Sequence, residues 1–219
     1  MPTIAITGAG SGLGEALSYH YAKNGYKVYL LGRSDSKLQL VKVKIIKVGG
    51  DAEVIPCDVR EPASVSIAFE QIPQLDVFIN SAGIGVFGPI EDYRIDEIEN
   101  ILDTNVKGSI LTVQSALPLI KESNGRILTV ISTAGLRGKV NESIYVASKF
   151  AVRGFTESLQ KELEDAPVSL TAVYMGGMNT PFWNNSNHIK DLSKLKEPKT
   201  VAEQIFNEDD GRAEIYVDR

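Results

Sequence analysis

Thr7-Gly8-Ala9-Gly10-Ser11-Gly12-Leu13-Gly14 joins a short apolar run, Thr3–Thr7, to a segment of helical periodicity that starts at Gly12. A glycine-rich turn lets the backbone reverse sharply and approach a ligand closely. The free N–H groups and macrodipole of the helix behind it favour an anion such as a pyrophosphate. The glycines are spaced Gly-x-x-x-Gly-x-Gly. Started at Gly8 or Gly10, a Gly-x-Gly-x-x-Gly register puts Leu13 or Glu15 where its third glycine belongs, and no Lys-Ser/Thr follows to make a P-loop. A turn used only for tight packing is the bland alternative. Position weighs against it, because ligands of open α/β sheets sit at the carboxyl ends of the strands, near the topological switch point.

Outward from this turn, β-branched runs alternate with longer helical segments, the pattern of βαβ units and a parallel sheet buried on both faces. The runs predict seven strands: Thr3–Thr7, Lys27–Leu31, Glu53–Cys57, Asp76–Asn80, Arg126–Ser132, Val168–Tyr174 and Glu214–Val217. Helices are expected near Gly12–Asn24, Asp35–Val48, Pro62–Gln71, Arg94–Glu122, Ile144–Asp165 and Thr200–Phe206. Val41–Val48 alternates like a strand, but a right-handed crossover between parallel strands carries a helix, and Ser34, Asp35 and Ser36 offer caps. The fold class is therefore α/β: a three-layer, doubly wound Rossmann fold with a seven-stranded, mainly parallel sheet and helices on both faces. The stretch from Met175 to Pro198 is too irregular and long for an ordinary connection and reads as a lid at about 175–198.

The 219 residues suit one domain, 1–219, with no room for a separate substrate domain. A formal charge of −5 with scattered lysines argues against nucleic acid. Cys57 is the single cysteine, which forbids an internal disulfide and a cysteine metal cluster, and a reducing, cytoplasmic setting fits. No apolar run approaches the ~20 residues of a membrane helix, and the chain opens into its first strand without a leader pattern. His20 and His188 lack partners at ligand spacing, read as surface or boundary residues, and no metal site is expected.

The second strand ends Leu31-Gly32-Arg33-Ser34. An acidic residue there would hold a ribose 2′-hydroxyl, as in NAD sites; with none at Gly32 and a guanidinium at Arg33, a 2′-phosphate is favoured. NADP(H) is thus expected in preference to NAD(H), with a solvated surface role as the alternative for Arg33. Asp58, after the third strand, is an acceptor for an adenine amino group or else a helix cap.

Tyr145 and Lys149 are four residues apart on one helix face, and Ser132 ends the fifth strand on the carboxyl rim. Such a pair alone proves little: Tyr19 and Lys23 repeat the spacing with no serine-ended strand before them. The assembly is what matters. Together with the glycine turn, Asn80-Ser81-Ala82-Gly83, Asn105-Val106-x-Gly108, Ile131-Ser132-Thr133-Ala134-Gly135 and Tyr145-Val146-Ala147-Ser148-Lys149 resemble, in order and approximate spacing, the motifs of the short-chain dehydrogenase/reductase family. The resemblance runs from Thr3 to Thr180 and points to its compact single-domain branch.

The resemblance implies a catalytic tetrad of Ser132, Tyr145, Lys149 and Asn105. Tyr145 gives or takes the hydroxyl proton, Ser132 holds the substrate oxygen, Lys149 bonds the nicotinamide ribose, and Asn105 orders a water leading to Lys149. It implies cofactor contacts at Gly8, Ser11, Gly12, Leu13, Gly14, Arg33, Ser34, Asp58, Val59, Asn80, Ala82, Gly83, Tyr145, Lys149, Gly176 and Thr180. A free phenol titrates near ~10; a cation ~4 Å away contributes ~4 kcal/mol at an effective dielectric of ~20, so Lys149 is expected to pull Tyr145 down.

One departure from the family stands out: Met175-Gly176-Gly177-Met178-Asn179-Thr180 lacks the usual proline, and Gly177 reads as a looser hinge. Phe87, Leu136, Met178, Phe182 and Trp183 are the candidates for an apolar substrate pocket, with lid packing as the equal alternative. With no second domain, that pocket is expected to be open and broad in specificity. The expected activity is NADP(H)-dependent interconversion of a small-molecule carbonyl and an alcohol. A non-catalytic NADP(H)-sensing regulator is the alternative. The helices Arg94–Glu122 and Ile144–Asp165 resemble the family's dimerising faces, which implies a homodimer or homotetramer.

Overall fold

The computed structural model describes residues 1–184, 186 and 188–217. Seven strands, β1 (Thr3–Thr7), β2 (Lys27–Gly32), β3 (Asp51–Pro56), β4 (Val77–Asn80), β5 (Arg126–Val130), β6 (Ser169–Tyr174) and β7 (Glu214–Tyr216), form one sheet of order β3-β2-β1-β4-β5-β6-β7. Every pairing is parallel. The order reverses between β1 and β4, which opens the crevice where the glycine turn lies.

Alternate side chains of one strand feed two cores, as a sheet covered on both faces requires. Ile4 and Ile6 pack with Leu13, Leu17 and Tyr21 of α1 (Gly12–Lys23), Leu38, Val41 and Ile45 of α2 (Asp35–Lys47), and Val201 and Ile205 of α7 (Pro198–Glu208). Ala5 and Phe78 face the other way, toward Phe69 of α3 (Pro62–Glu70), Val113 and Ile120 of α5 (Gly108–Ser123) and Leu159 of α6 (Ser143–Glu162).

The ambiguous segment is helical. Leu38, Val41 and Ile45 recur at three and four residues and are buried, whereas Leu40, Val43 and Ile46 face outward. The expected helix Arg94–Glu122 is broken into α4 (Ile95–Leu102), a π turn (Asp103–Lys107) and α5. Tertiary contacts account for the break: the Asn105 side chain is bonded to the backbone of Ile84, and Gly108 lies against Val59, where a β-carbon would come within 2.7 Å of Val59 Cγ2. Strand β5 ends at Val130, two residues before its expected end at Ser132. Among the described residues no helix is long and apolar enough to cross a membrane.

At the amino edge of the sheet, Arg126 at the start of β5 forms a two-point pair with Asp209 just after α7 (2.7 and 2.8 Å), and the Tyr21 hydroxyl donates to the same carboxylate (2.6 Å). Burial and the Asp209 charge push the Tyr21 phenol upward. The Asp209 side chain is 1% exposed, so Asp209→Ala would strand a guanidinium and a phenol together. Urea unfolding of this variant is expected to show a loss of roughly 2–4 kcal/mol, with a loss below about 1 kcal/mol contradicting the assignment.

Candidate active site

The glycine turn is shaped by three close approaches. Gly8 (φ +71°) and Gly12 (φ +57°) occupy left-handed backbone, where a side chain is strained. A β-carbon on Gly14 would lie 2.3 Å from Gly8 O, and one on Gly8 would lie 3.0 Å from Ala82 Cα. On the other side, one on Gly12 would lie 3.3 Å from Thr180. The Thr7 hydroxyl oxygen accepts from the backbone N–H of Ser81 (3.0 Å) and Ala82 (3.1 Å), tying the turn after β4 to the end of β1. Ser11 precedes α1 without capping it by its side chain, while the Leu13 side chain is sunk in the core. Bare backbone, an uncapped helix start and a converging Thr180 are what a dinucleotide pyrophosphate needs, so these residues fit the cofactor.

At the adenosine end, Arg33 is exposed just beyond β2 and Ser34 precedes α2, its hydroxyl 3.1 Å from that of Ser36. Asp58 does not cap α3, whose preceding residue is Glu61. Its carboxylate instead accepts from Arg60, through Nε (3.0 Å), Nη2 (2.6 Å) and the backbone N–H (3.1 Å). These bonds hold its carboxyl below the usual range. Arg60 also donates to Asn100 (3.1 Å); sequence reading missed it, although its place two residues after Asp58 is the available signal. Val59 is buried on Gly108. Asn80 is also buried, its amide 3.5 Å from Ser109 O, and Gly176 lies two residues beyond the end of β6.

Ser132, Tyr145, Lys149 and Asn105 come together at the carboxyl ends of β4 and β5. Ser132 has φ +106°, a conformation that strains a non-glycine residue. Its Oγ accepts from Ala134 N–H (3.2 Å), and its hydroxyl is near enough to the Tyr145 phenol to draw that group's pKa downward. Lys149 Nζ donates to Val130 O (3.1 Å) and lies 5.8 Å from the Tyr145 ring centre. Asn105, in the π turn, donates to Ile84 O (2.9 Å) and Ser148 Oγ (3.0 Å) and accepts from Ile84 N–H (2.9 Å). Gly83 sits between them: a β-carbon there would be 3.4 Å from Asn105 Oδ1 and 3.7 Å from Lys149 Nζ.

The charge balance differs from expectation. Burial dominates, pushing Tyr145 up to about 12 and Lys149 down to about 8. The Ser132 hydroxyl draws Tyr145 downward, Glu142 raises it further, and Lys149 contributes nothing resolved to it. With its ammonium directed at Val130 O, Lys149 is not placed to pair with the phenolate.

Nor is the pocket open. Phe87 and Phe182 rest edge-on against Tyr145, with ring centres 5.5 and 5.8 Å away, and Tyr145 is 6% exposed. Both phenylalanine rings lie over Gly85, where a β-carbon would meet them at 2.4 and 2.6 Å. Trp183 stacks on Phe87 at 5.0 Å and its indole N–H donates to Met178 O. Gly177 makes room for this indole, since a β-carbon there would lie 3.2 Å from Trp183 Cζ2, so its role is space rather than a hinge. Met178 and Leu136 stand apart from the rings, Met178 in the α1 side core and Leu136 against Ile131 and Val152. His188 is not without partners: it hydrogen-bonds Glu142 (3.0 Å) and stacks on Phe87 (4.8 Å). Tyr19 and Lys23 line a separate groove of about 540 Å³ along the outside of α1, which reaches Gly12 and Thr180 but not Tyr145.

Residues 2–191 match the model of the short chain dehydrogenase family. An uncharacterized oxidoreductase of Staphylococcus aureus (strain MW2) is 36% identical over 206 residues, which cover 92% of this chain and 87% of that protein. Among solved structures, an alcohol dehydrogenase from the archaeon Thermococcus sibiricus complexed with 5-hydroxy-NADP superimposes with a TM-score of 0.91 at 25% identity, over 99% of this chain and 96% of that one. A short-chain dehydrogenase/reductase from Vibrio parahaemolyticus does so with 0.87 at 30% identity, over 98% of each. A family match over most of the chain, on a fold with an uncapped glycine turn at its switch point, makes this chain a member of the short-chain dehydrogenase/reductase family and an NAD(P)-dependent oxidoreductase.

Proposed function

We propose that the protein is an NADP(H)-preferring reductase/dehydrogenase that interconverts a carbonyl and a secondary alcohol, with Tyr145 as general acid and base. The observation that carries this reading is the convergence of the Tyr145 phenol, the Ser132 hydroxyl and the Lys149 ammonium at one buried spot beside Gly83. The bound nicotinamide supplies or accepts a hydride. Everything else falls to this chain's side chains. The phenol, raised to about 12, is protonated at neutral pH, the form that carbonyl reduction consumes. Ser132, fixed by Ala134 N–H, orients the substrate oxygen against that phenol. Lys149 and the peptide around Gly83 would hold the nicotinamide ribose, while Asn105 holds the Ile84 backbone and so the floor of the site.

Gly8, Ser11, Gly12, Leu13 and Gly14 would hold the pyrophosphate by backbone N–H groups, with Thr180 and Gly176 closing from β6. The NADP(H) preference rests on Arg33. Arg60 already engages the nearby Asp58 carboxylate, which leaves the Arg33 guanidinium for a 2′-phosphate. Asp58 retains acceptor capacity toward adenine. The Thermococcus sibiricus relative, seen with a modified NADP, supports the same preference. The chain acts as one catalytic domain with Phe182 and Trp183 on its lid. The exposed Ile110 of α5 and Phe150 of α6 favour a homo-oligomer through those helices.

Three measurements test this. NADPH oxidation, followed at the nicotinamide band with aldehydes, ketones and quinones, is expected to show turnover that Tyr145→Phe lowers by about 10²–10⁴-fold. NADPH binding without turnover of any substrate would overturn the enzyme reading in favour of a sensor. Arg33→Ala is expected to weaken NADPH by about 10–100-fold with little effect on NADH; equal losses would refute the preference. Finally, the ligand-free protein carries an ammonium whose folded-state pKa is lowered, so below about pH 8 its burial costs stability, and the cost fades as pH rises toward the unfolded lysine value. Lys149→Met should therefore be more stable than the parent at pH 7, by up to about 3 kcal/mol, with the gap closing by about pH 10 in urea unfolding.

A further inference from the structure

Outside the tetrad, one ionisable pair, a buried carboxylate and a half-buried imidazole, bridges the lid and the catalytic helix. Glu142 directly precedes α6 and is 7% exposed. Its Oε1 receives His188 Nε2 at 3.0 Å, while Lys139 Nζ is 4.0 Å from Oε2, beyond hydrogen-bond length. Lys139 instead reaches the Thr133 hydroxyl at 3.4 Å. A buried carboxylate depends on its direct partner, and here that partner is on the lid. The imidazole is stacked on Phe87 (4.8 Å, 14°) and lies nearly parallel to Trp183 (6.2 Å, 18°), and its backbone N–H donates to Ser186 Oγ. Phe87 in turn presses on Tyr145. The bond to Glu142 thus pins the aromatic cover to the helix that carries the phenol.

We propose that His188 is a positioning residue whose bond to Glu142 holds Phe182, Trp183 and Phe87 closed over Tyr145, so that enclosure of substrate depends on the charge of the imidazole. The proposal rests on the carbonyl-reducing function argued above. Protonated, the imidazole forms a charge-assisted bond to Glu142; neutral, it retains an ordinary one at most, and the cover loosens. The groups facing the pair are Lys139 through Glu142, the Phe87 and Trp183 rings, and the Tyr145 and Tyr93 phenols, both of which the Glu142 charge raises. A charged imidazole therefore holds the cover more tightly than a neutral one. It acts on substrate retention, KM, more than on kcat.

Trp183 is the single tryptophan, so its fluorescence reports on the cover without any turnover. Acrylamide quenching of the ligand-free, full-length protein is expected to be weak near pH 5.5 and at least about twofold stronger near pH 8.5. In His188→Gln and in Glu142→Gln, quenching should stay at the stronger value throughout. The first variant separates His188 from His20, which packs on Phe206; the second is isosteric, and circular dichroism checks that both fold. With a carbonyl that is turned over, KM of either variant relative to the parent should be roughly three- to tenfold higher near pH 5.5 and about equal near pH 8.5, a ratio from which the titration of Lys149 common to all three proteins cancels. Quenching in the parent that ignores pH, or a parent-like transition in Glu142→Gln, would overturn the proposal. Failure to turn over any carbonyl bears on the proposed function alone and leaves the quenching result decisive here.

Discussion

The approach of α1 to the end of β1 is the constraint on which the rest of this molecule depends. Gly14 lies so close to Gly8 that a β-carbon would stand 2.3 Å from its carbonyl oxygen, and one on Gly8 would stand 3.0 Å from Ala82 Cα in the turn after β4. A side chain at either place pushes α1 away from β1 and pulls Leu13, Leu17 and Tyr21 out of the core they share with Ile4 and Ile6. It also breaks the Thr7 clamp on Ser81 and Ala82, which sets where Gly83 and Ile84 lie. Ile84 is the backbone partner of Asn105, and Asn105 bonds Ser148, the neighbour of Lys149. One glycine contact therefore aligns the glycine turn and, through three hydrogen-bonded steps, the helix that carries Tyr145 and Lys149.

The reactive groups themselves sit at an energetic disadvantage. An ammonium, a phenol and a carboxylate are buried along the first two turns of α6 and the residue before it, and Ser132 is held at φ +106°. The strain follows from how β5 ends. Ile131 N–H bonds Val173 O at 2.9 Å and Thr133 N–H bonds Met175 O at 2.9 Å, so the chain between them must turn over within one residue. That turn points the Ser132 hydroxyl at the phenol. The two large cores tolerate these costs of order 1–3 kcal/mol each because they over-determine the surrounding backbone.

Much of this was legible in the amino-acid order. Alternation of apolar β-branched runs with helical segments marks all seven strands, and Ser132 at a strand end with Tyr145 and Lys149 one helical turn apart marks the candidate site, to which only the resemblance to the family's motifs adds Asn105. What stayed hidden arises from contacts between residues remote in the chain. The π turn at Asn105 has no local signature, since the break answers to Ile84 and Val59 rather than to its own neighbours. Val41–Val48 looks like a strand locally and is a helix because only Leu38, Val41 and Ile45 find a core. The pairing of His188 with Glu142 spans 46 residues and joins two ordinary polar side chains, so nothing in either segment announces it.

The closed pocket follows from the same long-range logic. Room for one domain in 219 residues implies a pocket open to solvent only on the assumption that enclosure needs a second domain. Here two short segments make the cover together. Phe87 and Phe182 both settle on the bare α-carbon of Gly85, and Trp183 settles on the bare α-carbon of Gly177. Each glycine is a seat for a ring, and each ring lies on a segment that another ring braces. Neither segment can take this position alone, because its rings would face water across most of their area. The space over Tyr145 is therefore shaped by how two loops pack on each other, and changing either one alters the fit of both.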